Sequence, residues 1–389
     1  MLIPMLCLLV GAATGEHLRK ERKVEQPILI NARRYSDELN SSCLQVSGRL
    51  KGERVWRQKT GLDEPVPPTQ FAIKDAFLIA VYPSRIIVMS RDSGQLSWSR
   101  GTLRNFFFDL KPEGMVDVDH AGYYGILGLD KKIVNKMSLP FVDTNTVLAF
   151  SRKLGDEMVY AYKTLPEPGE PGGSHLGPSF TFKRVNIKKD KFLWQFIREE
   201  DLLDVLFSEK DRRMCICTHR DAYLFLIDTI SDAGVRSIHL EEIVSCALDH
   251  HGNLLLVGRQ EKEKHLSLKQ YTMQGVAGWN LAMEKLEFLR QPPASSPDGK
   301  IYILTGRMVR CIDKGHVSWS FELPSTLSLI TVLKDGSILA SSGSTLIQIS
   351  HDGKEMLRVS IDENITTRPV MDENGHVYIG GVKGIYCFK

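Results

Sequence analysis

Short apolar runs recur along the chain, and glycine-containing turns separate them. Four examples in the C-terminal half are HHGNLLLVG, SPDGKIYILTG, KDGSILASSG and DENGHVYIGG. Asp-Gly and Asn-Gly dipeptides between β-rich runs are typical of tight hairpin turns. Segments with helical periodicity are scarce, and residues 199–207 fit the first strand of a unit as well as a helical turn. The pattern therefore predicts an all-β chain built from hairpins.

The tryptophans reveal a repeat of about forty residues, a length typical of propellers and solenoids. The five tryptophans are Trp56, Trp98, Trp194, Trp279 and Trp319. Four of them stand four residues after a glycine, and these glycines are Gly52, Gly94, Gly275 and Gly315. Gly353 stands in the same frame before Leu357, where an aliphatic residue replaces the tryptophan. We interpret these ten positions as structural, because large flat side chains at a fixed strand position pack between neighbouring sheets.

One unit of the repeat predicts four antiparallel strands, the last of which follows the glycine turn and carries the tryptophan. Four such strands make one blade of a β-propeller. Seven fourth strands are predicted around 56, 98, 194, 238, 279, 319 and 357. One more is needed between 98 and 194, at Val134 or at Val159. Val134 is preferred because the Pro/Gly-rich stretch 165–178 then becomes a loop inside the following blade.

The predicted fold is thus an all-β propeller of eight four-stranded blades. A seven-bladed ring with a hairpin insertion at 160–198 is the alternative. Residues 366–389 supply three strands without a fourth, whereas residues 46–58 supply a Trp-bearing strand without the three before it. We expect these segments to pair and close the ring, because closure removes exposed sheet edges. The domain prediction is an apolar segment at 1–15, a linker at 16–45 and one propeller at 46–389.

The G-x-x-x-W unit resembles the pyrroloquinoline-quinone-type repeat of the quinoprotein-like propellers. The resemblance spans residues 46–389, is clearest from 245 onward, and implies the fold more than the cofactor. The quinone dehydrogenases often carry an adjacent Cys-Cys pair and acidic calcium ligands. Here no such cysteine pair occurs, and Asp117 and Asp119 are an isolated acidic pair. The chain is therefore more similar to the non-enzymatic branch, which includes the scaffold lipoproteins of outer-membrane protein assembly.

Composition adds few functional signals. The net charge of +3 does not indicate a nucleic-acid-binding surface. One basic cluster is interpreted as a lysine-protected strand edge: Lys183, Arg184, Lys188, Lys189 and Lys191. Cys215 and Cys217 are predicted to be buried reduced thiols on one strand face, and His250 and His251 to lie in a turn. No cofactor, metal or catalytic residue is expected.

Residues 1–14 are apolar and resemble the core of a signal peptide, although Arg19 and Lys20 follow the segment and no basic residue precedes it. We expect export to a periplasmic or extracellular location, with a cytoplasmic location as the alternative. The segment is too short to span a bilayer as a helix. Asn40-Ser41-Ser42 and Asn364-Ile365-Thr366 match the acceptor sequence for N-glycosylation in a eukaryotic secretory setting.

The functional hypothesis is a monomeric, non-catalytic scaffold that binds a protein or glycan partner through its loops or pore mouth. The alternative is a small quinone- or metal-dependent oxidoreductase that uses the axial funnel. The scaffold is favoured because no catalytic constellation accompanies the repeat. The loop at 165–178 and the basic hairpin after it lie on one unit, so we expect partner contact there first.

Overall fold

The computed structural model describes nineteen stretches of the chain. They are residues 29–31, 43–44, 46–59, 67–83, 85–101, 110–111, 114–118, 123–138, 146–154, 156–164, 179–186, 188–189, 191–208, 212–226, 235–260, 263, 265–283, 289 and 291–389. The described strands form eight sheets, and each sheet has four strands in consecutive spatial order, with a fifth strand at one edge of two sheets. We number the sheets as blades in chain order.

The first four blades are each built from one continuous stretch of chain. Blade 1 comprises β4 (Gln70–Lys74), β5 (Phe77–Tyr82), β6 (Arg85–Ser90) and β7 (Leu96–Gly101). Blade 2 comprises β8 (Leu110–Lys111), β9 (Gly114–Val118), β10 (Tyr123–Leu127) and β11 (Ile133–Ser138). Blade 3 comprises β12 (Thr146–Leu154), β13 (Glu157–Thr164), β14 (Ser179–Asn186) and β15 (Lys191–Arg198). Blade 4 comprises β16 (Leu202–Ser208), β17 (Arg213–Thr218), β18 (Asp221–Leu226) and β19 (Arg236–His239).

Three further blades follow the same plan, and the eighth draws on both ends of the propeller. Blade 5 comprises β20 (Glu242–Leu248), β21 (Leu254–Arg259), β22 (Ser267–Tyr271) and β23 (Ala277–Ala282). Blade 6 comprises β24 (Ala294–Ser295), β25 (Ile301–Thr305), β26 (Met308–Asp313) and β27 (His316–Glu322). Blade 7 comprises β28 (Ser328–Leu333), β29 (Ile338–Ser342), β30 (Thr345–Ile349) and β31 (Glu355–Ser360). Blade 8 comprises β32 (Val370–Met371), β33 (Val377–Gly380), β34 (Gly384–Phe388) and β3 (Arg54–Lys59).

The eight-blade prediction is confirmed, and the alternative is wrong. Val134 lies on β11, the fourth strand of its blade, whereas Val159 lies on β13, a second strand. The segment that the seven-bladed alternative treated as an insertion is part of a complete four-stranded sheet, β12 to β15. β16 (Leu202–Ser208), which covers most of the ambiguous stretch 199–207, is the first strand of blade 4.

The tight turns lie where the glycine signals place them. Asp249, Ser296, Leu333 and Asp372 each donate a backbone N–H to the carbonyl four residues later, at 2.8, 3.0, 2.8 and 2.9 Å. Each turn joins the first strand of a blade to its second. One hydrogen-bonding pattern therefore repeats in blades 5 to 8.

The apolar core lies between blades. Apolar residues of strands such as β17 and β20 alternate between two sheet faces, and each face packs against a different neighbouring blade. One buried cluster joins blade 4 to blade 5 through Leu206, Cys215 and Leu256. Another joins blade 6 to blade 7 through Tyr302, Val332 and Ile347. The first strands of successive blades from β12 to β28 approach one another, so they mark the inner side of the ring.

The N-terminal segment closes blade 8. β3 pairs antiparallel with β34, and Trp56 lies opposite Cys387, as the closure prediction requires. Residues 46–53 of the predicted closing segment are not a strand. Instead, Leu50 is buried in the core of blades 7, 8 and 1. The side-chain amide of Gln348 accepts from Leu50 N at 2.8 Å and donates to Gly48 O at 2.7 Å.

Part of the predicted linker at 16–45 belongs to the sheets. β1 (Leu29–Asn31) pairs antiparallel with β4, and β2 (Cys43–Leu44) pairs parallel with β28. Both pair with first strands, whose free edges face the axis of the ring. The described residues contain no helix that is long and apolar enough to cross a membrane.

Candidate functional site

The repeat tryptophans bind the blades to one another. Three of the five indole N–H groups donate to backbone carbonyls in the third-to-fourth-strand turn of the following blade. The described cases are Trp56 Nε1 to Arg91 O at 2.9 Å, Trp98 Nε1 to Leu129 O at 2.6 Å and Trp319 Nε1 to His351 O at 2.9 Å. The polar atom of these side chains is therefore used within the protein and is not free for a ligand.

Gly94, Gly315 and Gly353 each face the tryptophan of the preceding blade. Gly94 of blade 1 faces Trp56 of blade 8, and Gly353 of blade 7 faces Trp319 of blade 6. A Cβ placed on Gly353 would lie 2.7 Å from the Trp319 ring, closer than real Cβ atoms come. The glycines at 52, 94, 275, 315 and 353 all have positive φ, as their turn position predicts. At Gly94, Gly315 and Gly353, glycine is thus required twice, for the turn and for the neighbouring indole.

A β-bulge directly precedes the repeat position in several outer strands. The register shifts at Ser97 before Trp98, at Ser318 before Trp319 and at Met356 before Leu357. A bulge re-aims the following side chain and twists the strand edge away from further pairing. The bulges therefore direct the indoles toward the next blade and protect the outer edges.

The tryptophans pack between blades. Trp98 is 6% exposed, and Trp279 and Trp319 are half-buried. Trp279 packs against the apolar cluster between blades 5 and 6, and Trp319 packs against the cluster between blades 6 and 7. The fourth strand forms the outer rim of a blade, and one side of these rings remains open to solvent. Trp194 is also half-buried and packs against Phe182 and Phe225, at centroid distances of 5.9 and 5.7 Å.

Substituting Gly353 by alanine should destabilise the protein more than substituting Gly375 by alanine. The two glycines have nearly equal φ, 83° and 80°, so the left-handed backbone costs each alanine about 1–2 kcal/mol. Only at Gly353 does the new methyl group meet an indole, and overpacking adds about 1–3 kcal/mol. The free energy of unfolding from urea titration measures both variants.

Gly375 is the matched control because a Cβ there meets nothing within 4 Å. Equal losses of stability in the two variants would contradict the proposed contact between Gly353 and Trp319.

The structure describes the two cysteines and the two histidines that the sequence singled out. Cys215 Sγ and Cys217 Sγ lie 3.4 Å apart and are both buried, free thiols. Burial raises the pKa of both thiols, which keeps them protonated and unreactive near neutral pH. His250 and His251 lie in the predicted turn. Within the described ranges, no three His, Cys, Asp or Glu side chains group as metal ligands.

The basic cluster in blade 3 does not form one surface. Lys183 is buried beside the Tyr162 ring, at 5.2 Å from its centroid. Arg184 Nη2 pairs with Glu157 at 2.6 Å, and Lys188 Nζ pairs with Asp156 at 2.9 Å. Because Lys183 and Arg184 are consecutive in β14, their side chains point to opposite sheet faces. Asp117 lies on β9, while Asp119 lies outside the described residues.

The two ends of the ring differ. The turn face is the end with the first-to-second and third-to-fourth strand turns, such as 249–253 and 272–276. The loop face is the end with the second-to-third strand loops and the connections between blades. Residues 165–178 lie outside the described residues, but Thr164 and Ser179 on either side of them are paired at the loop face. Lys188 and Lys189 lie at the turn face, at the opposite end of blade 3 from Thr164 and Ser179.

Comparison with solved structures shows a β-propeller. The chain superposes with a TM-score of 0.62 on a quinohemoprotein alcohol dehydrogenase, ADHIIG, from Pseudomonas putida HK5. Identity is 9%, and the match covers 91% of this chain and 76% of that enzyme. The WD40 domain of Neurospora crassa Pan2 matches with a TM-score of 0.50 and 9% identity, covering 88% and 96% of the two chains. No protein-family model and no curated protein matches the sequence. At these identities the likeness extends to the fold alone.

Proposed function

We propose that the protein is a non-catalytic β-propeller scaffold that binds a protein or glycan partner through its loop face, with contact centred on blade 3. The observation that supports this proposal is the difference between the two ends of the ring. In blades 5 to 8, tight turns of one hydrogen-bonding pattern repeat at the turn face, whereas the connections at the loop face differ from blade to blade. Binding residues tend to lie on variable loops that a rigid scaffold positions.

Blade 3 offers an apolar and a cationic side chain at its loop-face end. Ile197 is 47% exposed near the end of β15. The neighbouring Arg198 guanidinium lies 4.0 Å from the Phe196 ring centroid and 5.3 Å from that of Tyr223. Stacking on two aromatic rings restricts the arginine, so a partner that binds it loses less conformational entropy. Residues 165–178 connect two strands of this same blade at the same end.

The axial position favours a scaffold over the oxidoreductase alternative. β1 and β2 pair with the inner strands β4 and β28, so the chain itself lies where an axial cofactor would be expected. The alternative predicts a new absorbance band when quinone and Ca²⁺ are added to the purified protein. The scaffold proposal predicts no such band.

An Ile197→Glu substitution should weaken partner binding at least about tenfold, which corresponds to 1.4 kcal/mol. The partner is first isolated by crosslinking and pull-down with the full chain, and its affinity for each variant is then measured by interferometry. The new carboxylate would have to be desolvated beside the partner. Phe192→Glu is the matched control, because Phe192 is 44% exposed on the same strand but at the turn-face end.

The proposal fails if Ile197→Glu binds like the wild type, or if Phe192→Glu weakens binding equally. Replacing 166–177 by a short Gly-Ser bridge should also reduce binding without changing the thermal melting temperature. If this variant binds normally, contact is made elsewhere on the ring.

A further inference from the structure

We propose that Asn364 is an N-glycosylation site, and that its glycan covers Leu327 on the loop face between blades 6, 7 and 8. The acceptor sequence Asn364-Ile365-Thr366 lies between β31 and β32, in a connection from one blade to the next. Acceptor sequences that are modified lie on surface loops. The loop face therefore places this sequence where an attached oligosaccharide can extend into solvent.

The local geometry presents the asparagine and holds the residues after it. Asn364 is exposed, and its side chain makes no hydrogen bond within the described part of the chain. Ile365 is buried and donates its N–H to Gly343 O at 2.7 Å. Thr366 donates both its backbone N–H and its hydroxyl to Gly380 O, at 2.8 and 3.1 Å. The two residues after Asn364 are thus anchored, while its carboxamide points away from the core.

A second observation lies beside the acceptor. Leu327 is 66% exposed, the highest value among the exposed large apolar side chains of the described residues. Gly343 connects the two positions, since its N–H donates to Leu327 O at 3.4 Å and a Cβ placed on it would lie 4.0 Å from Asn364 Oδ1. The C–H face of a pyranose ring attached to Asn364 can cover this leucine and remove its apolar surface from water.

The modification is a balanced group transfer. The donor class is an oligosaccharide linked to a polyprenyl pyrophosphate. The Asn364 carboxamide nitrogen forms a bond to the anomeric carbon of the first sugar and loses one proton. The bond between that carbon and the pyrophosphate oxygen breaks, and the pyrophosphate leaves with the electron pair.

The test expresses the full chain, with its own N-terminus, in a eukaryotic host. Peptide-N-glycosidase treatment converts a glycosylated asparagine to aspartate, and peptide mass spectrometry locates that conversion. We expect it at Asn364 in the wild type. Loss of the glycan is expected in Asn364→Gln and Thr366→Ala, whereas Thr366→Ser should retain it. Asn374→Gln is the matched control, because Asn374 is an exposed asparagine without a serine or threonine two residues later.

Two outcomes would overturn the proposal. One is a protein that reaches the secretory lumen with unmodified Asn364, and the other is a protein that never enters the lumen. The contact with Leu327 has its own readout. Removing the glycan from the folded protein should lower the melting temperature, and this shift should become smaller in Leu327→Ser. An unchanged shift would mean that the sugar does not cover the leucine. Neither result depends on the partner proposed for blade 3.

Discussion

Deleting residues 1–60 should abolish cooperative unfolding or cause aggregation. The deletion removes β3 and exposes the edge of β34, including the carbonyl of Lys389 that accepts from Lys51 and Glu53. It also removes Leu44 and Leu50, which are 1% and 2% exposed. Emptying each buried leucine position costs about 2–5 kcal/mol. The total approaches the whole stability of an ordinary domain, about 5–15 kcal/mol. Differential scanning calorimetry and light scattering measure the effect.

Deleting residues 1–28 is the control, because this truncation keeps β1, β2, β3, Leu44 and Leu50. It should lose less stability than the deletion of residues 1–60. If the fragment of residues 61–389 melts like the full chain, the closure of blade 8 by the N-terminal segment is contradicted.

A milder variant tests the same closure in a protein that still folds. Gln348→Ala leaves Leu50 N and Gly48 O without their side-chain partner. Each unpaired buried polar group costs about 1–3 kcal/mol. The melting temperature should therefore fall, and proteolysis should cut first between residues 46 and 53. Wild-type stability in this variant would mean that the Gln348 amide does not hold the segment.

The fold could be predicted from the sequence because short local motifs mark each repeat. Glycine turns recur in most blades, and a tryptophan or an aliphatic residue marks the fourth strand of each blade. Eight blades followed whether Val134 or Val159 was taken as the missing position. β1 and β2 could not be predicted, since strands of two or three residues show no alternation. They exist because the free inner edges of β4 and β28 offer backbone partners, which a sequence does not display.

Only one of the two reasons for glycine at the repeat positions could be predicted from the sequence. Positive φ follows from the turn position of Gly94, but its contact with Trp56 joins blade 1 to blade 8 across the ring closure. The separation of the basic turn from Thr164 and Ser179 could be seen only from the strand order of blade 3. The positions of the candidate site residues thus depend on contacts between blades. The sequence repeat predicts only the strands within each blade.

Replacing Trp98 by alanine should cost about 3–5 kcal/mol, the range for a large buried aromatic residue. Trp98 packs with Val88 and Leu127 between blades 1 and 2, and its N–H donates to Leu129 O. Trp98→Phe keeps most of the apolar contact but loses the hydrogen bond, so it should cost less. Trp319→Ala is the comparison at a half-buried position with the same type of hydrogen bond, and it should also cost less. Urea unfolding followed by circular dichroism gives the three free energies. If Trp98→Ala leaves the free energy of unfolding unchanged, the indole does not join the blades. Ligand stacking on its ring then becomes the hypothesis to test.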